Sequence, residues 1–293
     1  MKKISLAVLA FLLSVLVWYF FIHPADFTAT FQAKALPGTL NQTLKNWNFQ
    51  EKGEITGQKG LGHISQQLQF NDSIHLYRWS FKAINDSTSK VKVQIKDLDH
   101  SWKNRYEKIF NDTDFERRSA ATVKEFYDYV ETRTKRFNIT YDGESELPTT
   151  YCAYVAIRGK QNEKSLAMRQ HFSLLSGVMA NNGVKLNGTP FIEVTDWDIE
   201  NDSISYNFCF PIVRSERLPL HPEIQYKRIF ATKALKATYN GDYTYSDRAW
   251  YTLLYKANEL GKDIEAKPIE VFHNNPSFGD EMNWIADIYM PLK

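Results

Sequence analysis

The sequence predicts an α+β protein in three parts. An N-terminal transmembrane helix leads, a small α+β domain follows, and a domain of two similar strand–helix–strand–strand halves with antiparallel sheets closes the chain. Three observations carry this. An uncharged apolar run extends from Ile4 to Ile22. From residue 24 to about 145, patterns of period two alternate with helical ones. Beyond that, one order of elements occurs twice, with a glycine and a proline at matching places.

Lys2 and Lys3 precede the apolar run, and only Ser5 and Ser14 interrupt it. A helix of that length suits the ~30 Å hydrocarbon core of a bilayer. Trp18 and Tyr19 fall where an interfacial aromatic belt would be. The competing reading is a cleaved signal peptide, but the place for small residues is taken by Trp18-Tyr19-Phe20-Phe21, and no nearby cysteine offers a lipid anchor. Residues 1–23 are therefore expected to be an uncleaved signal anchor, with the lysines in the cytoplasm and the bulk outside it. The Met-Lys-Lys start has a bacterial look, which places the expected protein in the inner membrane, single-pass and facing the periplasm. With that origin, the Asn-x-Ser/Thr triplets at Asn41, Asn71, Asn85, Asn111, Asn138, Asn187 and Asn201 read as turns rather than glycan sites.

Residues 24–145 form the second part. Phe27, Ala29, Phe31 and Ala33 alternate as on a strand, and "LPGTLNQTLKNWNF" reads as a turn and a short helix. His75, Tyr77, Trp79, Phe81 and Ala83 share one strand face, and Val91, Val93 and Ile95 another. Val123, Phe126, Tyr127 and Val130 stand at the spacing of an amphipathic helix. This order resembles the START/polyketide-cyclase-like (SRPBCC) superfamily, which implies a helix-grip-like domain. The polar stretch "YDGESELP" reads as the boundary to the third part.

Residues 146–293 hold the duplication, with copies at about 147–213 and 221–293. The first runs through the strand "TTYCAYVAIRG", a helix with Met168, Phe172, Leu175 and Met179 on one face, and the strands "TPFIEVTDWD" and "SISYNFCFPI". The second runs through "KALKATYNG", a helix with Trp250, Leu253, Leu254 and Ala257 on one face, "KPIEVFH" and "NWIADIYMPL". Gly183 and Gly261 each stop a helix, as an αL cap does. Pro190 and Pro268 each open the next strand, at the same spacing as the glycines.

The composition limits the function. Hydrophobic residues make up 43% and aromatic residues 14%, enough for a folded core. The net charge of +2 leaves no electrostatic footprint for nucleic acid, so no nucleic-acid partner is expected. His63, His75, His100, His171, His221 and His273 show no metal-ligand spacing, and no phosphate loop or nucleophile elbow occurs, so no metal or cofactor is expected. Cys152 and Cys209 fall on the first and last strands of the first copy, as a disulfide or as two buried thiols.

The two copies, the helix-ending glycine, "P-I-E-V-F-H-N-N-P" and the terminal "D-I-Y-M-P-L" resemble the GyrI-like (gyrase-inhibitor-like) effector-binding family, which also supplies the drug-sensing domains of AraC- and MerR-type regulators. The resemblance implies a groove between the copies in which Glu270 faces a cationic or polar aromatic ligand. Aromatic walls beside a carboxylate favour a cation. Phe272 shares the strand face of Glu270, and Tyr154, Trp284 and Tyr289 are further candidates to line the groove. Asp287 matches the acidic residue before "IYMP" and reads as ligand contact or as the partner of a nearby base. Glu193 looks like a twin of Glu270, but it stands one residue further from its proline, and one residue of slip reverses the face. Three functions follow: a membrane-anchored small-molecule binding protein; a hydrolase of reactive electrophiles with Glu270 as general base; or an envelope scaffold whose groove is filled by its own side chains.

Overall fold

The computed structural model describes residues 2–50, 53–71, 73–274 and 280–293. The chain divides into two compact units, Met1–Glu131 and Thr132–Lys293.

The first helix, α1, spans Lys2–Val17 and has 16 residues. At the helical rise it covers about 24 Å, short of a bilayer core of about 30 Å. Its continuation, Trp18–Ile22, winds into a π-helical turn. Among the described residues no helix is long and apolar enough to cross a membrane. The expected transmembrane anchor over residues 1–23, the membrane as a partner and the single-pass inner-membrane location are therefore not supported. The aromatic turn has another use. The buried Arg105 donates to the carbonyls of Tyr19 and His23, and its Nε sits 2.6 Å from Asp26.

In the first unit, β1 (Phe27–Ala33), β2 (Glu54–Lys59), β3 (His63–Phe70), β4 (Ser73–Ala83) and β5 (Ser89–Asp97) form an antiparallel sheet in the order β1-β5-β4-β3-β2. The inward residues Tyr77, Trp79 and Phe81 of β4 and Val91, Val93 and Ile95 of β5 meet two helices. From α2 (Pro37–Gln50) come Leu40, Leu44 and Trp47. A short helix α3 (Ser101–Glu107) intervenes, and α4 (Asp114–Thr134) supplies Val123, Phe126 and Val130. Asn41 and Asn138 depart from the expected turns: Asn41 is buried within α2 and Asn138 lies on a strand. Asn85 does build one, accepting from the backbone N–H groups of Ser87 and Thr88.

The second unit is one eight-stranded antiparallel sheet. Its strands are β6 (Phe137–Leu147), β7 (Thr150–Lys160), β8 (Phe191–Asp198), β9 (Ser203–Pro211), β10 (Gln225–Ile229), β11 (Thr232–Gly241), β12 (Ile269–Phe272) and β13 (Ile285–Pro291), in the order β10-β7-β9-β8-β12-β13-β11-β6. The six inner strands are two copies back to back, meeting at β8 and β12. Helix α5 (Lys164–Asn181) belongs to the first copy and α6 (Arg248–Leu260) to the second. Gly183 and Gly261 end these helices with φ of 64° and 62°. Val184 N–H bonds back to Met179 and Lys262 N–H to Ala257, closing each helix in the same way.

Two strands have no counterpart in the sequence reading. Residues 141–148, read as a boundary, lie mostly within β6, which pairs along β11 from Phe137↔Gly241 to Leu147↔Thr232. β10 adds an edge beside β7. Both helices pack on one sheet face: Met168, Leu175 and Met179 of α5 and Trp250, Leu253 and Ala257 of α6 bury against Ile192, Phe208, Ile288 and Met290. Phe172, expected on the apolar face of α5, is 41% exposed and reaches the core only by an edge contact with Phe210.

Candidate functional site

The two copies meet along a short ladder in which Ile269 pairs with Glu193, Glu270 with Ile192 and Val271 with Phe191. Directly opposed residues share a sheet face, so Glu270 and Ile192 are the matching positions of the two copies. On its other side Glu270 pairs with Ile288 of β13. A carboxylate thus lies between two isoleucines, all three at 0% exposure. Such a charge is costly unless partners compensate it.

Its partners come from the starts of both helices. Ser246 Oγ donates to Glu270 Oε2 at 2.7 Å. Lys164, the first residue of α5, is 1% exposed and brings its Nζ to 3.5 Å from Oε1. The same ammonium donates to Ser246 Oγ at 2.8 Å and to the Tyr243 carbonyl at 3.1 Å, and lies 5.6 Å from the centre of the Trp250 ring. Oε1 itself completes no well-formed hydrogen bond, and neither does the buried indole N–H of Trp250, which nonetheless lies near the carboxylate. Burial pushes the Glu270 carboxyl above the usual carboxylate range; Lys164, the Ser246 hydroxyl and the indole pull it back, while Asp247 adds to the rise.

Beside this pair lies a second buried one. Asp247 Oδ2 accepts from Arg248 Nη1 and from Gln161 Nε2, each at 2.6 Å. Gln161 also donates to Tyr251 OH at 2.9 Å and accepts from the Trp197 indole at 3.0 Å. Two acids and two bases, each at most 4% exposed, therefore stand together where the helices begin. Tyr206, whose hydroxyl donates to the Lys164 carbonyl at 3.3 Å, is pushed well up by burial, with the Glu270 charge adding to the shift. Tyr243 is pushed up to about 12, first by burial.

The sequence-derived candidates divide between the two sheet faces. Glu270 and Phe272 lie on the helix face, and Trp284, just before β13, packs with that core. Tyr243 ties them together, with ring centres 4.8 Å from Phe272 and 5.6 Å from Trp284. Tyr154 and Tyr289 lie on the opposite face, packed around Cys152, Cys209, Phe191 and Ile269. Tyr154 donates to Gln225 Oε1 at 2.6 Å under the Lys227 ammonium. Glu193 is on that face too, accepting from Asn207 at 2.7 Å and paired with Lys227. Asp287, also there, meets Lys236 at 3.0 Å and His273 at 2.8 Å. Cys152 and Cys209 are free, buried thiols, and burial with the neighbouring Cys152 pushes the Cys209 thiol up. The motif positions 275–276 lie outside the described residues.

Sequence reasoning missed Lys164, Ser246, Asp247, Arg248 and Gln161. Lys164 opens an apolar helix, where a lysine reads as solvated. The run "YSDR" before Trp250 was the one available signal: polar residues ahead of an apolar helix face, which also suit plain capping.

A duplicated sheet with its helices on one face thus carries a buried carboxylate at the junction of its copies. Residues 144–293 match the model of the GyrI-like small molecule binding domain, and the chain belongs to that family. No curated protein matches the sequence. Among the similar solved structures are three. The EcmrR C-terminal domain has 18% identity over 54% of this chain and 98% of that one, with a TM-score of 0.44. SAV2435 bound to tetraphenylphosphonium has 13% identity over 53% and 94%, with a TM-score of 0.38. A hydrolase from Listeria innocua has 8% identity over 56% and 98%, with a TM-score of 0.36. Among the described residues no cluster suits a metal ion.

Proposed function

We propose that the second unit binds a small amphipathic or aromatic organic cation between its two halves, with the ligand charge on Glu270. The observation that carries this is the carboxylate itself: wholly buried between Ile192 and Ile288, at the junction of the copies, with one oxygen short of a hydrogen bond. Trp250, Tyr243 and Phe272 supply aromatic surface on the same face. Those rings favour an organic cation, whose apolar area repays entry into a dry site. Tyr154 and Tyr289 fall outside this site because they occupy the other sheet face.

The test is a thermal shift of the full chain with tetraphenylphosphonium, the compound named for SAV2435, against neutral triphenylphosphine oxide. A ligand at a hundred times its dissociation constant adds about 2.7 kcal/mol of stability. The expected result is a rise in Tm with the cation alone, absent in Glu270→Gln. Equal shifts with the cation and the oxide, or a shift kept by Glu270→Gln, would remove Glu270 from the account.

One observation favours a second reading, hydrolysis of a reactive electrophile. A carboxyl raised by burial suits a general base that takes a proton from water. Turnover of a strained electrophile such as an aryl epoxide, lost in Glu270→Gln while cation binding is weak, would select it over plain binding.

A further inference from the structure

Resting on the binding reading above, we infer that Lys164 is a tethered counter-cation that holds the ligand's place on Glu270, so that a cationic ligand binds by displacing it and its charge limits which ligands enter. Lys164 meets the requirements set for the ligand. Its ammonium is 3.5 Å from Glu270 Oε1 and 5.6 Å from the centre of the Trp250 ring, with the whole side chain out of water. A positive charge against the carboxylate and an aromatic ring beside it are what an aromatic cation would supply.

The fit is incomplete, which distinguishes an exchangeable occupant from a permanent one. Charge-assisted N–H···O bonds run at about 2.7–2.9 Å. Lys164 reaches such distances only toward Ser246 Oγ, at 2.8 Å, and stands farther from the carboxylate. Neither Glu270 Oε1 nor the Trp250 indole N–H completes a well-formed hydrogen bond, although the indole lies close enough to favour the charged carboxylate. A lysine that loses Glu270 still keeps two acceptors, the Tyr243 carbonyl and Ser246 Oγ. The position of Lys164 also weakens its hold. It is the first residue of α5, where the helix dipole repels a cation. A ligand cation arriving at Glu270 thus replaces a loose pairing, and only a charged ligand compensates the carboxylate once the lysine has left.

The experiment measures tetraphenylphosphonium affinity by calorimetry on the full chain, on Lys164→Met, Lys164→Gln and Lys164→Arg, and on Glu270→Gln, with triphenylphosphine oxide as the neutral control. Methionine keeps the apolar stem without the charge, and glutamine is the second neutral variant should methionine fail to fold. Both neutral variants are expected to bind the cation at least about tenfold more tightly, since removing a competing buried charge moves affinity by that much or more. Lys164→Arg is expected to stay near the parent, and the oxide to be unaffected. Unchanged or weaker binding in both neutral variants, with binding still lost in Glu270→Gln, would overturn the role of Lys164 and leave the binding site standing. No cation binding in any of the four proteins that keep Glu270 would overturn the binding reading and this inference with it.

Discussion

Glu193 and Glu270 stand one pairing step apart on neighbouring central strands and live in opposite environments. Glu270 points toward the helices, between Ile192 and Ile288, with no exposure. Glu193 points to the other face, where Asn207 and Lys227 hold it and its side chain is 22% exposed. The position in the first copy that does match Glu270 is Ile192. Duplication made the scaffold symmetric, and a single site in the second copy carries the charge. Parity along a strand, more than residue type, separates a compensated surface acid from a buried one.

The comparison is broken most forcefully by removing the buried base. Lys164→Met leaves the Glu270 carboxylate buried without its counter-charge, which costs about 3–5 kcal/mol by urea denaturation at neutral pH. The double variant Lys164→Met/Glu270→Gln is expected to recover most of that, since replacing both members of a buried pair is often close to neutral. A double variant as unstable as the single one would show that the carboxylate was not the source of the loss.

The symmetry of the copies is probed next, at their caps. Gly261 and Gly183 hold φ near 60°, with open space around a notional Cβ. Alanine at either therefore meets no clash with its surroundings and only the strain of a Cβ in the left-handed conformation, about 1–2 kcal/mol each. Clearly unequal losses would mean that the two helices do not contribute alike. On the far face, Glu193→Gln should cost less than about 1 kcal/mol, because a partly exposed pair with Lys227 is screened by water.

The pH dependence separates the faces by sign. The Asp287 carboxyl lies below its ordinary value, despite the opposing effect of burial, because His273 and Lys236 hold its charged form. Its stabilisation is full above the unfolded carboxyl pKa of about 3.9 and is lost as pH falls through the lower folded value. The Glu270 carboxyl is raised, so its contribution is full below about 4.3 and is lost as pH rises through the folded value. Asp287→Asn is accordingly expected to flatten the acid limb of a stability–pH curve without touching the rise-side loss. A curve whose acid limb is unchanged would count against the His273 and Lys236 contacts.

Much of this fold was legible because it follows from local rules. The αL glycines, the strand-opening prolines and the period of each helix face marked both copies, and the alternation in β4 and β5 marked the core of the first unit. β6 was missed because Gly143 and Pro148 read as punctuation, although Phe137, Ile139 and Tyr141 alternate as a strand should. Glu270 was legible only through its motif. Tyr154 and Tyr289 were grouped with it because face parity between strands depends on register, and register appears only when the ladder Ile269↔Tyr289 is seen. Lys164 was illegible for a related reason: its burial arises from contacts with Tyr243, Ser246 and Glu270, 79, 82 and 106 residues away in sequence. The N-terminal run shows the reverse failure. Composition suggested a spanning helix, and backbone geometry after Val17 ended it.

The most direct measurement is a crystal of the full chain with tetraphenylarsonium, whose arsenic is located by anomalous scattering. The account predicts the arsenic on the helix face of the sheet, beside the Glu270 carboxylate and the Trp250 ring, with the Lys164 ammonium moved away from Oε1. Arsenic on the opposite face, among Tyr154, Glu193 and Tyr289, or beside Glu270 with the lysine unmoved, would contradict it.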